Sequence, residues 1–295
     1  MILISSLCAI GASAGWAVGS MLAERPARAL GAFAFTQIQF IACAILLVVL
    51  CSAFSLWSSA NVRDWPAYAI SILTAVVGHI ALTACLRRGG ARRIEVILSL
   101  RAPIVVLMAY LWLGETLGSR DLLGGTVCIV GVLIAVVSRD RGRKCDSDTT
   151  RLLSTFLGLG LLATVCNGAG YLVMKPALED GTNPLVVSAI RLIGAAAIMS
   201  AIGLWPSRTL RAQTPVTPFL FVETVLPGVI GYVIASSLLL YAFATLDAGI
   251  AAILGSLAPV LILPIQAVRN KSLPGLGAIF GAALAVAGTT LIILQ

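Results

Sequence analysis

Charge is scarce in this chain. Only 11% of its 295 residues are Asp, Glu, Lys or Arg, where an ordinary soluble domain carries about a quarter, so a soluble globular protein is excluded. Also missing is the alternation of apolar and polar residues, over roughly ten-residue segments, that marks an outer-membrane barrel. Histidine occurs once, at His79. No C-x-x-C, H-E-x-x-H, D-x-x-D or Ser/His/Asp set is found, which argues against a metal centre, a redox site and an enzyme; no cofactor is expected. Six of the seven cysteines (Cys8, Cys43, Cys51, Cys85, Cys128, Cys166) fall inside apolar runs and Cys145 in a polar segment. They read as small packing residues. The first apolar run has no basic n-region and no convincing A-x-A cleavage site after it, so a cleaved signal peptide is not expected.

What is present is a series of continuous apolar runs, each about 20 residues, the length of a helix crossing ~30 Å of hydrocarbon. Ten spans are read, at 2–22, 32–52, 66–86, 94–113, 122–138, 152–174, 184–205, 218–242, 249–269 and 273–294. The expected class is all-α integral membrane, with ten transmembrane helices. One substantial polar segment, 139–151 (RDRGRKCDSDTTR), divides the chain into 1–138 and 152–295, five spans each. An odd number of spans per half inverts the second copy in the membrane, so two inverted five-helix repeats are expected.

The net charge of +8 has a topological pattern. Loops 1–2, 3–4, 5–6, 7–8 and 9–10 hold fifteen Lys and Arg, the opposite side three (Arg63, Arg120 and Lys175), and Arg101 and Arg191 lie within spans. The positive-inside bias places the odd-numbered loops in the cytoplasm and both termini outside. It accounts for the basic excess, and no nucleic-acid partner is needed.

The halves share sequence. Ile94–Pro103 (IEVILSLRAP) returns 156 positions later as Ile250–Pro259 (IAAILGSLAP), identical at five of ten positions. Ala14-Gly15-Trp16 matches Ala169-Gly170-Tyr171, and Gly124 and Gly131 match Gly281 and Gly288. Glycines seven apart share a helix face and let helices approach closely in lipid. Pro103, Pro227, Pro259 and Pro264 are expected to bend their helices.

Ala-Gly-Trp in span 1, Ala-Pro in spans 4 and 9, and Leu113-Gly114-Glu115 before span 5, on ten spans in two inverted halves, together resemble the drug/metabolite transporter superfamily, most nearly its EamA-type members. The resemblance covers nearly the whole chain. It implies a secondary carrier of small metabolites, often an amino-acid or drug exporter, that works by alternating access. Arg191 matches a basic position early in the second helix of the family's halves; Gln39 is its counterpart in the first half. Two departures stand out. Span 9 ends Arg269-Asn270-Lys271 where the family often has Gly-Glu, and the basic loops argue against the cytoplasmic termini common in the family.

Ionisable groups within spans are costly and mark sites or pairs. Along the ungapped repeat, His79 faces Ala235, Glu95 faces Ala251 and Arg101 faces Leu257. The scaffold therefore tolerates apolar residues there, and the polar replacements need another reason. At 1.5 Å rise per residue, His79, Arg101 and Trp16 all lie about 10 Å in from the odd-loop side. Arg101 is expected to bind a carboxylate through its fork, unless its long side chain snorkels to the interface. His79 would hydrogen-bond or titrate, Trp16 and Tyr171 would stack, and Arg191 would be a second anchor nearer the outer side or a partner for Glu223. His79 and Glu223 are the candidates for proton coupling or ion pairing. Met108 and Trp112 share a face with Arg101 and are expected on the same wall. Glu95 and Asp247 read as interfacial, Asn167 as interhelical glue.

The expected function is a carrier of a small carboxylate-bearing solute, an amino acid or organic anion, across the inner (plasma) membrane, as a facilitator, exchanger or proton-coupled transporter. The alternatives are an exporter of drugs or amphipathic metabolites and, outside the carrier class, a membrane sensor or assembly subunit on the same scaffold. The expected partners are the solute and the bilayer; monomer and dimer are both compatible with the sequence.

Overall fold

The computed structural model describes residues 2–98, 100–115, 118–137, 149–205, 210–258, 260–261 and 275–293, with the backbone alone at 88–97, 135–137 and 149–156. The described chain is helical, and six of its helices are long and apolar enough to cross a membrane. The physical reason is that hydrocarbon offers no partner to a peptide N–H or C=O, so each segment must satisfy its own backbone.

The first half contains α1 (Ile2–Leu30), α2 (Ala32–Ala53), α3 (Trp65–Leu98), α4 (Arg101–Leu113) and α5 (Ser119–Val137). The second contains α6 (Thr149–Leu172), the short α7 (Lys175–Glu179), α8 (Pro184–Gly203), α9 (Pro218–Gly228), a π-helical turn (Val229–Ala235), α10 (Ser236–Thr245), α11 (Ala248–Leu254) and α12 (Leu276–Ile293). Local chemistry sets several ends. Asn183 caps α8 by accepting from the Leu185 N–H at 2.9 Å, with Pro184 at the first helical position, where a missing N–H is harmless. Thr217 caps α9 in the same way before Pro218. Gly31 turns α1 into α2 at φ 92°, and Gly114 ends α4 at φ 67°, left-handed conformations that glycine adopts without a side-chain clash.

Several boundaries depart from the sequence reading. Helix α3 continues to Leu98, through the segment expected to be loop 3–4. Span 4 is therefore discontinuous: helix ends at Leu98 and resumes at Arg101. Span 9 breaks at the same register, since α11 ends at Leu254 and Gly255–Leu257 are non-helical. The doubled block thus marks a helix break in both halves, where a continuous, proline-bent helix was expected. Pro103 lies in the first turn of α4, where proline removes no needed donor. Span 6 breaks at Val173–Met174, and span 8 enters the π turn two residues after Pro227. Pro259, Pro264, the 269–271 triplet, Cys145 and most of the 139–151 linker lie outside the described residues, as does the side chain of Glu95.

The halves interlock reciprocally. A Cβ on Gly131 of α5 would come within 2.4 Å of the Ala285 nitrogen, and one on Gly288 of α12 within 2.5 Å of the Cys128 nitrogen. Helix α2 packs on α8, α3 on α6, and its counterpart α9–α10 on α1. Exchanging the halves leaves the pairing unchanged, which is a pseudo-two-fold relation. At the end where the even-numbered loops lie, Met174, Leu239, Phe243 and Ile253 pack into one closed apolar cluster.

Candidate functional site

Between the breaks of the two halves lies a cavity of about 110 Å³, room for more than one water or a small solute. Trp16 and Ser20 line it from α1, Gln39 from α2, His79 and Thr83 from α3, and Arg101 from the start of α4. The second half adds Asn167 and Tyr171 from α6, Tyr232 from the π turn, and Gly255 and Ser256 from the break after α11. Lining residues run along α1 to Ala23 and along α3 to Leu86, so the cavity extends toward the odd-loop end and is blocked at the other by the apolar cluster.

Arg101 is where the two breaks meet. It is buried, 8% exposed, and so does not snorkel. Its Nη2 donates to the Gly255 carbonyl of the other half, an oxygen that helix interruption has left without an intrahelical donor. Its guanidinium carbon sits 4.4 Å from the centre of the Trp16 ring, a cation–π contact. The Trp16 ring and the Gly255 carbonyl both hold the guanidinium at the wall. Among the described residues, Arg101 is the sole Lys, Arg, Asp or Glu lining this cavity.

His79 is held by a 2.7 Å contact from Nδ1 to the Ala75 carbonyl. A carbonyl only accepts, so Nδ1 carries the proton. The ring meets Phe40 and Tyr232 edge-on, with centroids 5.4 and 4.9 Å away. Gln39 donates to the Thr224 carbonyl at 2.9 Å and Asn167 to the Ala163 carbonyl at 2.8 Å; each amide nitrogen is engaged, which leaves the amide oxygen as the acceptor end. The Asn167 bond stays within its own helix, whereas an interhelical bond was expected.

Tyr171 stands 6.2 Å from Trp16, and its hydroxyl meets the Ser236 hydroxyl at 3.0 Å. Arg191 is buried behind it, 4.3 Å from the ring centre. It does not line this cavity, because the Tyr171 ring stands between. Nor does it meet Glu223, which pairs with Arg25 of α1 at 3.0 Å; that acid lies about one turn into α9 and faces α1 instead. Trp112 is 57% exposed and, with Met108, off the cavity wall. Asp247 is exposed, in keeping with an interfacial position.

Sequence reasoning missed Tyr232, Gly255 and Ser256, and met Gln39 only as the counterpart of Arg191. Gly255 and Ser256 sit inside the doubled block, so its break was the available signal. Nothing in an apolar run marks the π turn that presents Tyr232. A second polar cluster was also missed. Lys175, 4% exposed, pairs with Glu115 and donates to the Leu246 carbonyl at 3.1 Å, while Glu115 Oε2 accepts from the Ala248 N–H at 2.8 Å.

The sequence matches the model of the EamA-like transporter family twice, over residues 3–137 and 155–294. No curated protein matches it. The structure superposes on a solved protein crystal structure with a TM-score of 0.79, covering 98% of this chain and 96% of that one at 16% identity, a likeness of fold.

Proposed function

Because this chain belongs to the EamA-like transporter family, whose members are membrane transporters of small solutes, we propose that it is a secondary carrier for small carboxylate-bearing solutes with an apolar or aromatic part. The observation that carries this is Arg101, its guanidinium over the Trp16 ring at the wall of a cavity whose described lining has no Asp or Glu. A guanidinium carries its N–H donors in a planar fork whose geometry matches a carboxylate. Phe35, Leu82 and the Tyr232 ring would contact the apolar part of the solute, and the oxygens of Gln39 and Asn167 suit a solute ammonium, as in an amino acid. Cationic drugs fit less well, since they would meet Arg101 with like charge.

Exchange or facilitated flux is favoured over proton coupling: His79 sits among Phe40 and Tyr232 with Nδ1 committed to a carbonyl, and Glu223 is paired at a helix end. By the distribution of basic loops, the cavity faces the cytoplasm of the plasma membrane. The test is counterflow of labelled amino acids and organic anions in proteoliposomes. Arg101→Ala and Arg101→Lys, purified as monodisperse protein, are expected to lose it. Wild-type counterflow in Arg101→Ala overturns the assignment.

A further inference from the structure

The repeat allows the cavity to be mapped onto its own counterpart. Trp16 and Ser20 of α1 map, 155 positions on, to Tyr171 and Lys175; His79, Thr83 and Arg101 map, 156 positions on, to Ala235, Leu239 and Leu257. All five counterparts are buried; Ala235, Leu239 and Leu257 belong to the apolar cluster that closes the even-loop end, and Tyr171 to both that cluster and the cavity wall. The closed end is therefore the image of the cavity with the halves exchanged, collapsed onto itself.

The image differs from the cavity in charge. Ser20 becomes Lys175, Gln39 becomes Arg191 and Arg101 becomes Leu257. Lys175 lies where the span-6 helix breaks, bound to Glu115 at the end of α4 and to the Leu246 carbonyl between α10 and α11, with the exposed Glu179 of α7 farther off at 3.6 Å. Glu115 also takes the Ala248 N–H at the start of α11. One carboxylate thus ties together α4, the α6–α7 break and α11 across the closed end. The tie has no duplicate by sequence, since Glu115 maps to Lys271 and Lys175 to Ser20. A carboxylate and an ammonium taken out of water stay charged while each holds the other; separated, each regains favourable energy only by meeting water or another charge. Breaking the pair therefore favours a wetted, open end.

We propose that Lys175–Glu115 is a latch on the even-loop end, and that its release opens a second, oppositely facing cavity in which Lys175 and Arg191 take the place of Arg101 as the cations facing an anionic solute. The inference rests on the carrier reading above, but its test needs no solute. In cysteine-free protein in liposomes, single reporters are placed at Leu239→Cys and Arg191→Cys on the closed side and at Ser20→Cys in the present cavity. An impermeant maleimide added to both faces measures their labelling rates. With Glu115 intact, Ser20→Cys labels quickly and the other two slowly. Glu115→Gln is expected to speed Leu239→Cys and Arg191→Cys by at least ~5-fold and to slow Ser20→Cys reciprocally. Glu115→Asp, which keeps the carboxylate, is expected to retain the parental pattern. Unchanged rates overturn the latch. A rise at all three reporters means loosened packing and also overturns it. Labelling of Leu239→Cys with Arg191→Cys still protected removes Arg191 from the second cavity. If Glu115→Gln does not fold, Lys175→Gln decides with the Leu239→Cys and Ser20→Cys reporters: faster labelling at the first and slower at the second supports the latch, and any other pattern overturns it. Absence of counterflow over every solute tried would overturn the carboxylate reading and leave these labelling outcomes as they stand.

Discussion

Trp16 has two neighbours that matter at the cavity wall, the Arg101 guanidinium on its face and the Tyr171 ring at 6.2 Å. A cation–π contact contributes about 0.5–2 kcal/mol. Trp16→Leu is therefore expected to raise the concentration for half-maximal counterflow by up to ~30-fold, with the fold intact; an unchanged value would show that Trp16 does not orient the arginine. His79 makes a different prediction. Its Nδ1 bond is local to α3, and a glutamine amide can occupy the same space with a donor of its own. His79→Gln is expected to keep counterflow within a few-fold of wild type and to leave pH-gradient effects unchanged. Loss of gradient-driven flux with counterflow preserved would make His79 the coupling residue. At this scale the sequence was informative in one direction: comparison of the two copies singled out His79 and Arg101 as polar without scaffold need, and both line the cavity. Where Arg191 and Glu223 pack, behind Tyr171 and against Arg25, was not legible, because the partner a charged group finds depends on helix rotation, which no local pattern encodes.

Among the described elements, α5 and α12 approach backbone to backbone. A methyl on Gly131 would lie 2.4 Å from the Ala285 nitrogen and 2.6 Å from the Gly281 carbonyl, backbone atoms that cannot rotate away. Gly131→Ala is expected to destabilise by about 1–3 kcal/mol, seen as a lower melting temperature in detergent. Gly158→Ala, with nothing within 4 Å, is the control and is expected to change little. Equal effects would mean that the α5–α12 contact is not close. The seven-residue glycine spacing made this contact legible. The breaks at Leu98–Arg101 and Leu254–Leu257 were not legible as breaks, although the repeated block marked the place. An apolar run reads the same whether its helix is whole or interrupted, and the interruption is stabilised by a distant arginine that meets the exposed carbonyl.

For the whole molecule, orientation is the property most open to direct measurement. The charge bias puts loop 2–3 outside and loop 7–8 in the cytoplasm. Single reporters at Ser58→Cys and Ala212→Cys, both exposed, are expected to label in intact cells at Ser58 and, only after permeabilisation, at Ala212. The reverse pattern would invert the topology and turn the present cavity outward. Lys175 refines the charge count: it is buried against Glu115, so the even side is still poorer in solvated cations than the sequence tally implies.

Membrane residence, the two-copy build and the division into scaffold and specialised positions all follow from run length, composition and internal identity. These are sums over neighbouring residues, and helix length against bilayer thickness is a one-dimensional constraint. Which polar groups share a wall, which face a packed core and which pair across the closed end emerged only with packing. Arg101 meets Gly255 and Lys175 meets Glu115 across 154 and 60 residues of chain. Such partners are selected by how helices rotate and break against one another, because a buried charge settles where its desolvation is offset best, and that place is a property of the assembled fold.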